Sequence, residues 1–117
     1  MPKDILKKDS ISSKELEFLL NLRAKKEVSF ILIDIREPFE YKRGYIDGVD
    51  EFRATSKFTL WAEEIIDLSK TIPVILTCRT SNRSSHLQHI LKQNGAKNII
   101  DHKGGIVSWR GKIKKDS

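Results

Sequence analysis

The sequence predicts an α/β fold of three layers, in which helices cover both faces of a central, mainly parallel sheet. Three observations support this prediction. Short apolar runs at residues 28–35, 74–77 and 98–100 are rich in β-branched residues, as in strands buried on both faces. Segments with helical periodicity lie between these runs, which indicates parallel strands joined by helical crossovers. The 117 residues are enough for one compact domain and too few for two.

The first half begins with a helix. Ser12 and Glu15 have the spacing of a capping box, and helical periodicity follows from Leu16. The strand at residues 28–35 ends before Pro38, which cannot continue a sheet ladder but can begin a short helical turn. Two glycines then bracket a tight loop at residues 44–48, and residues 49–52 form a short predicted strand.

The second half repeats the alternation of helix and strand. The strand at residues 74–77 is preceded by an amphipathic helix whose apolar face is formed by Phe58, Trp61, Ile65 and Leu68. Ser84 is predicted to begin the next helix, and Gly95 is a natural C-terminal cap. A last strand at residues 98–100 and a short helix around Val107 complete the domain.

Composition limits the classes of function. Hydrophobic residues make up 38% of the chain, and no apolar stretch approaches the about 20 residues that span a bilayer. Residues 1–9 lack the apolar core of an export signal, and a single cysteine forms no internal disulfide, so we predict a cytoplasmic protein. The net charge is +6, but basic and acidic residues are interleaved. This favours small anionic substrates over nucleic acid, and the basic residues 110–115 are interpreted as a solvated chain end.

Cys78 is the only cysteine of the chain and the main candidate for catalysis. It follows the strand at residues 74–77 directly and precedes a helix, with Arg79 and Arg83 nearby. Helix-end amides and guanidinium groups both favour the thiolate form of a cysteine. A structural cysteine normally lies inside an apolar element, not at its end before a polar loop. The pattern therefore predicts a reactive thiol at the carboxyl edge of the sheet, where ligands bind in open α/β folds.

The loop after Cys78 has the composition of an anion site. Its backbone N–H groups can form a cradle for a thiolate, a persulfide or the sulfonate end of thiosulfate. Arg79 and Arg83 supply charge that binds oxyanions by forked hydrogen bonds. The polar lining and the helix cap would come from Thr80, Ser81, Asn82 and Ser84. The alternative is that both arginines are ordinary surface charges and the loop only caps a helix.

Four segments, in the expected order, resemble the single-domain rhodanese family. Residues 34–41 match its Asp-x-Arg-x-x-x-Glu-Tyr pattern, and residues 44–49 resemble its Gly-His-Ile-Pro-Gly-Ala loop. Residues 74–84 resemble its active-site strand and loop, and residues 95–109 match its C-terminal signature. The ordered set is specific, although each segment alone is weak.

The resemblance implies a rhodanese-like fold with about five strands in the sheet and one domain over residues 1–117, with its core at about 12–112. It also implies that Cys78 carries a sulfane sulfur as a persulfide, while Arg79 and Arg83 form the anion pocket with the loop amides. No cofactor is implied.

The resemblance also assigns roles beside the loop. Asp34, Arg36 and Glu40 are expected to be scaffold residues that tie the first strand to the neighbouring turn; substrate contact by Arg36 is the alternative.

Three positions depart from the family pattern. Ser81 stands where many family loops have glycine, and a positive φ there would cost roughly 1 kcal/mol. Tyr45 and Asp47 replace the usual histidine and proline of the second loop, which leaves the preferred donor and acceptor open.

We therefore predict a sulfurtransferase that moves a sulfane sulfur from thiosulfate, polysulfide or a persulfide to a thiol, a protein or cyanide. One alternative is a non-catalytic rhodanese-like docking or regulatory module. Another is a cysteine-based phosphatase or arsenate reductase, but those phosphatases have a longer loop than the four residues between Cys78 and Arg83.

The three histidines are candidate metal ligands. His86 and His89 lie three positions apart on a predicted helix, and with Cys78 or His102 they could imitate a metal site. The spacing of a closed zinc site is missing, so no metal is predicted.

Overall fold

The computed structural model describes residues 2–115. Within that range the helices are α1 (Pro2–Ile5), α2 (Ser13–Ala24), α3 (Pro38–Tyr41), α4 (Phe58–Leu68) and α5 (Asn82–Gln93). The strands are β1 (Ser10–Ile11), β2 (Ile31–Asp34), β3 (Tyr45–Ile46), β4 (Glu51–Phe52), β5 (Val74–Thr77), β6 (Ile99–His102) and β7 (Ile113–Lys114). Two 3-10 helical turns occupy Thr55–Lys57 and Ile106–Ser108. None of these helices has the length and apolar composition needed to cross a membrane.

Five strands form the central sheet, in the order β1-β6-β5-β2-β4, and every pairing in it is parallel. Because β5 lies in the middle, the residue that follows it is surrounded by the carboxyl ends of its neighbours β2 and β6. Strands β3 and β7 form a separate antiparallel pair. The predicted fold class is confirmed.

The core lies on both faces of the sheet because successive side chains of each strand point to opposite sides. On one face Ile33, Leu76 and Ile99 pack against α4 and α5. On the other face Leu32 and Ile75 pack with Leu16 and Leu19 of α2. Leu6, which follows α1, and Trp109, which follows the last 3-10 turn, complete this cluster. This arrangement confirms the three predicted layers.

Several predicted elements are confirmed with small changes. The capping box is present: the Glu15 N–H donates to Ser12 Oγ at 3.1 Å, and the Ser12 N–H donates to Glu15 Oε1 at 3.0 Å. The strand predicted at residues 74–77 is β5, whereas the run at residues 28–35 contributes only its central part as β2. The final short helix around Val107 is a 3-10 turn.

One prediction about local structure is wrong. Ser84 neither begins nor caps α5, because the backbone turns at Ser81, which is the N-cap, and Ser84 lies buried in the first turn. The basic side chains at positions 110, 112, 114 and 115 are exposed, in agreement with the predicted solvated chain end, although Ile113 and Lys114 also pair with Ile46 and Tyr45. The sequence pattern does not indicate α1, β1, β3 or β7, which are only two to four residues long.

Candidate active site

Cys78 directly follows β5 and lies beyond the carboxyl ends of the central strands. Its side chain is only 1% exposed and packs in the core beneath α4 and α5. Two polar groups contact the sulfur: the Ser81 N–H donates to Sγ at 3.1 Å, and Ser84 Oγ lies 3.4 Å from it. The thiol is therefore enclosed by its own loop and by the first turn of α5.

The Ser81 backbone is in the left-handed region, with φ of 83°. This is the position at which many family members have glycine, the residue that adopts a positive φ without strain. The turn has a direct chemical consequence, because it places the Ser81 N–H against the sulfur and starts α5 immediately afterwards. Helix N-termini and inward-facing N–H groups both stabilise negative charge, as on a thiolate or persulfide.

Asp101 supports this loop from β6, a role that the sequence pattern did not predict. The hydroxyls of Ser81 and Ser84 both donate to its side-chain oxygens, and Asp101 is 4% exposed. Since Ser84 also contacts Cys78, the three side chains form one hydrogen-bonded cluster around the thiol. An acidic residue directly after the apolar end of the strand predicted at residues 98–100 was the available signal.

Arg83 and Glu40 form a bidentate ion pair across the loop. The two guanidinium nitrogens donate to Glu40 Oε1 at 2.7 Å and to Oε2 at 2.9 Å. These hydrogen bonds lower the pKa of Glu40 to about 2 and raise the pKa of Arg83, which an ionised Cys78 would raise further. Arg83 is therefore held in place by α3 close to the thiol.

The other predicted loop residues lie farther out. Arg79, Thr80 and Asn82 are exposed, and within residues 2–115 the Arg79 guanidinium forms no ion pair. An open depression of 380 Å³ beside the loop is lined by Arg79 and Glu40 together with Arg36, Phe39, Arg43, Gly44, Ile106, Val107, Trp109 and Ile113. The structure thus places one arginine inside an ion pair and the other at a solvent-accessible mouth.

Asp34 and Arg36 form a buried ion pair at the end of β2. Arg36 Nε donates to Asp34 Oδ1 at 3.0 Å, and Arg36 Nη2 donates both to Asp34 Oδ2 at 2.8 Å and to the Gly44 carbonyl at 2.7 Å. The pair ties β2 to the turn before β3, which supports the scaffold interpretation. Tyr45 and Asp47, the other departures from the pattern, lie in β3 and directly after it.

Gly105 packs closely against the Cys78 loop from the C-terminal part of the chain. Its φ is 59°, and a Cβ at this position would lie 2.4 Å from the Arg79 carbonyl oxygen and 2.6 Å from that of Cys78. The close approach allows the N–H groups of Ile106 and Val107 to donate to these carbonyls at 2.9 Å and 3.1 Å. The turn at Ile106–Ser108 therefore supports the Cys78 loop through these two backbone hydrogen bonds.

The three histidines are not gathered at the thiol. His86 and His89 are exposed on α5, whereas His102 is buried and bonds Thr77 Oγ1 at 2.8 Å and Ser13 Oγ at 2.7 Å. Burial lowers the pKa of His102 to about 4. Within residues 2–115 no group of three His, Cys, Asp or Glu side chains could hold a metal ion.

The sequence model of the rhodanese-like domain matches residues 15–112. The chain belongs to the rhodanese-like domain family. Its fold agrees with this, since a rhodanese-related protein of Thermoplasma volcanium superposes with a TM-score of 0.72 at 28% identity, covering 93% of this chain and 100% of that one.

Relatives in sequence include proteins of bacteria and fungi. The chain is 32% identical over 119 residues to a protein of Schizosaccharomyces pombe named "Putative thiosulfate sulfurtransferase, mitochondrial", which covers 94% of this chain and 84% of that protein. It is 35% identical over 83 residues to an uncharacterized protein of Bacillus subtilis, with 71% of this chain covered. The chain spans 63% of the length of that second relative.

Proposed function

We propose that this rhodanese-like protein is a sulfurtransferase in which Cys78 carries a sulfane sulfur as a persulfide. The observation that carries the proposal is the environment of Sγ, which faces the Ser81 N–H at the start of α5 and lies near a fixed arginine. A structural cysteine in an apolar core needs none of these groups. The sulfurtransferase name of the fungal relative supports the same reaction class.

In the first half-reaction the Cys78 thiolate attacks the outer sulfur of thiosulfate. The bond between the outer sulfur and the sulfonate sulfur breaks, and sulfite leaves with its electron pair. Arg79, exposed at the mouth, would bind the sulfonate oxygens. The anionic terminal sulfur of the persulfide would then lie among loop amides at the N-terminus of α5, where negative charge is stabilised. Polysulfides and other persulfides would load the same sulfur.

In the second half-reaction an acceptor thiolate or cyanide attacks the terminal sulfur. The sulfur–sulfur bond of the persulfide breaks, and Cys78 leaves as a thiolate that is stabilised by the same groups. No proton transfer is needed at the reacting atoms when both nucleophiles are anions. The two steps use one cysteine in turn, so ping-pong kinetics are expected.

Intact mass after incubation with thiosulfate tests the proposal. We expect a gain of one sulfur atom that a reductant reverses, and cyanide should release the sulfur as thiocyanate. Cys78→Ser should show neither while its circular dichroism is unchanged, because Ser fits the same space but cannot hold a sulfane sulfur. Failure of the wild type to gain sulfur would favour a non-catalytic docking module, and activity in Cys78→Ser would overturn the assignment.

The phosphatase alternative is tested by loop length. We expect negligible hydrolysis of a generic aryl phosphate under conditions in which sulfur transfer is readily measured, because four residues between Cys78 and Arg83 make a small cradle. Robust phosphate release by the unaltered protein would move it to the other class.

A further inference from the structure

Exposed apolar side chains gather around the depression beside the Cys78 loop. Among the described residues, the large exposed hydrophobic side chains are Phe18, Phe39, Leu60, Val107 and Ile113. Three of these, Phe39 on α3, Val107 in the C-terminal turn and Ile113 on β7, line the same 380 Å³ depression. They are 68%, 54% and 50% exposed. Three separate elements therefore contribute apolar surface to one place.

That depression adjoins the Cys78 loop. Ile106, which also lines the depression, donates its N–H to the Cys78 carbonyl, and Val107 donates to the Arg79 carbonyl. Glu40, another lining residue, holds Arg83. A molecule bound in the depression would consequently lie beside the loop that carries Cys78.

The charge of the depression is positive. Arg43 and Arg79 are exposed there, and within residues 2–115 neither forms an ion pair. Glu40 is the acidic residue among the lining side chains, and its charge is compensated by Arg83. The whole chain carries a net charge of +6. An occupant with carboxylates beside apolar side chains would complement this surface.

Thiosulfate, cyanide and a small thiol have no apolar surface that would use Phe39, Val107 and Ile113. Contiguous exposed apolar side chains rimmed by charge are typical of protein-binding surfaces. Cys78 is 1% exposed, so a flat protein surface would not reach the persulfide, whereas a cysteine on an extended segment would.

Building on the proposed sulfurtransferase function, we propose that the sulfur acceptor is a protein that presents its cysteine on an acidic, apolar segment. This segment binds over Phe39, Val107 and Ile113, with its carboxylates near Arg43 and Arg79. The acceptor thiolate attacks the terminal sulfur of the Cys78 persulfide, the persulfide bond breaks, and the acceptor becomes the persulfide while Cys78 returns to the thiolate.

Acceptor probes of defined chemistry test the proposal. The protein is loaded with thiosulfate, freed of excess donor, and mixed with an acidic peptide of Glu, Leu and Phe around one Cys, with the same peptide carrying Lys for Glu, or with glutathione. Rates are compared at equal thiolate concentration, because neighbouring charges change how far each probe is ionised. We expect the acidic peptide to accept sulfur at least about tenfold faster than either other probe.

Matched variants locate the effect on the surface. Phe39→Ser and Arg43→Glu should remove most of the preference for the acidic peptide, while the final extent of loading at saturating thiosulfate stays at one sulfur per chain as in the wild type. Leu60→Ser is the control, because Leu60 is 80% exposed on α4 and does not line the depression. It should retain the full preference.

The outcomes separate this inference from the proposed function. Normal loading with equal rates for all three probes, or a preference that survives in Phe39→Ser and Arg43→Glu, would overturn the protein-acceptor inference alone. Absence of loading would overturn both. A mixed-sequence RNA oligonucleotide should not slow transfer to the acidic peptide; inhibition that disappears in Arg43→Glu would overturn the inference in favour of a nucleic-acid partner.

Discussion

Ser81 donates its side-chain hydroxyl to Asp101 while its backbone stands in the left-handed region. A non-glycine residue in this conformation costs about 1 kcal/mol, and a net hydrogen bond returns a similar amount. The same conformation presents the Ser81 N–H to Cys78 Sγ at 3.1 Å. The Ser81–Asp101 contact therefore stabilises a strained residue whose backbone forms part of the site.

Substitutions at Ser81 should separate strain from hydrogen bonding. Ser81→Ala keeps the strain and loses the bond to Asp101, so we expect the free energy of unfolding to fall by about 1–2 kcal/mol. Ser81→Gly loses the bond but relieves the strain, so it should be about 1 kcal/mol more stable than Ser81→Ala. Equilibrium urea unfolding measures both, with exposed Ser85→Ala in the same helix as the control. If Ser81→Ala is as stable as Ser81→Gly, the backbone at this position is not strained.

Gly105 and Gly95 form a matched pair for testing how closely the C-terminal turn packs against the Cys78 loop. Both have positive φ, but a Cβ at Gly95 would meet nothing within 4 Å, whereas one at Gly105 would collide with the carbonyls of Cys78 and Arg79. Gly95→Ala should cost about 1 kcal/mol of unfolding free energy and leave sulfur loading intact. Gly105→Ala should cost more than about 2 kcal/mol and slow loading, because the loop must move. Equal losses in the two variants would show that the collision is relieved elsewhere.

The sequence predicted those features that depend on local patterns. The capping box of α2 and the limits of β5 follow from residues within a few positions of each other. Such features are set by backbone sterics and by hydrogen bonds between near neighbours.

The contacts that connect distant segments could not be predicted in the same way. Arg83 pairs with Glu40, 43 positions away, and Ser81 bonds Asp101, 20 positions away. Each contact depends on the order in which β2, β5 and β6 lie side by side in the sheet. Strands β1 and β7 have two residues each, too few to show a period of two. These strands form because a partner is available: β1 pairs with β6 at the edge of the central sheet, and β7 pairs with β3.

The Glu40–Arg83 pair should make stability depend on pH in the acidic range. Because the folded pKa of Glu40 is lowered from 4.5 to about 2, its stabilisation is present above pH 4.5 and is lost as the pH falls towards 2. Glu40→Gln should lower the free energy of unfolding at pH 7 by about 1–2 kcal/mol, allowing for the partial exposure of Arg83. Its stability should also fall less than that of the wild type between pH 5 and pH 2.

Urea unfolding across this pH range measures the effect. Glu63→Gln is the control, because Glu63 is exposed on α4 and, within residues 2–115, is in no ion pair. If Glu40→Gln and the wild type lose stability in parallel, the pair does not contribute in solution.

His102 should make the free energy of unfolding depend on pH in a higher range than the Glu40–Arg83 pair does. Its folded pKa is lowered by burial from 6.5 to about 4, so between these values the unfolded chain binds more protons and stability falls as the pH falls. The loss should approach about 3 kcal/mol at pH 4. His102→Gln should be less stable at pH 7, because it disrupts the hydrogen bonds of the ring with Thr77 and Ser13. Its stability should nevertheless change less than that of the wild type from pH 6.5 to pH 4. Exposed His86→Gln should retain the wild-type slope, and an unchanged slope in His102→Gln would contradict the assignment.

Arg79 and Arg83 should differ in the way they affect thiosulfate use. Arg79 is exposed at the mouth, so Arg79→Ala should lower kcat/KM for thiosulfate about tenfold or more while the free energy of unfolding changes by less than about 0.5 kcal/mol. Arg83→Ala leaves Glu40 without its partner, so it should lower both activity and stability. An uncharged persulfide donor should be affected less than thiosulfate, because it has no sulfonate to bind. Thiocyanate formation from added cyanide measures the use of both donors, sulfite release checks thiosulfate use alone, and alkylation rates across pH separate donor binding from thiol ionisation. If Arg79→Ala uses both donors at the wild-type rate, Arg79 is ordinary surface charge and the sulfonate is bound by other groups.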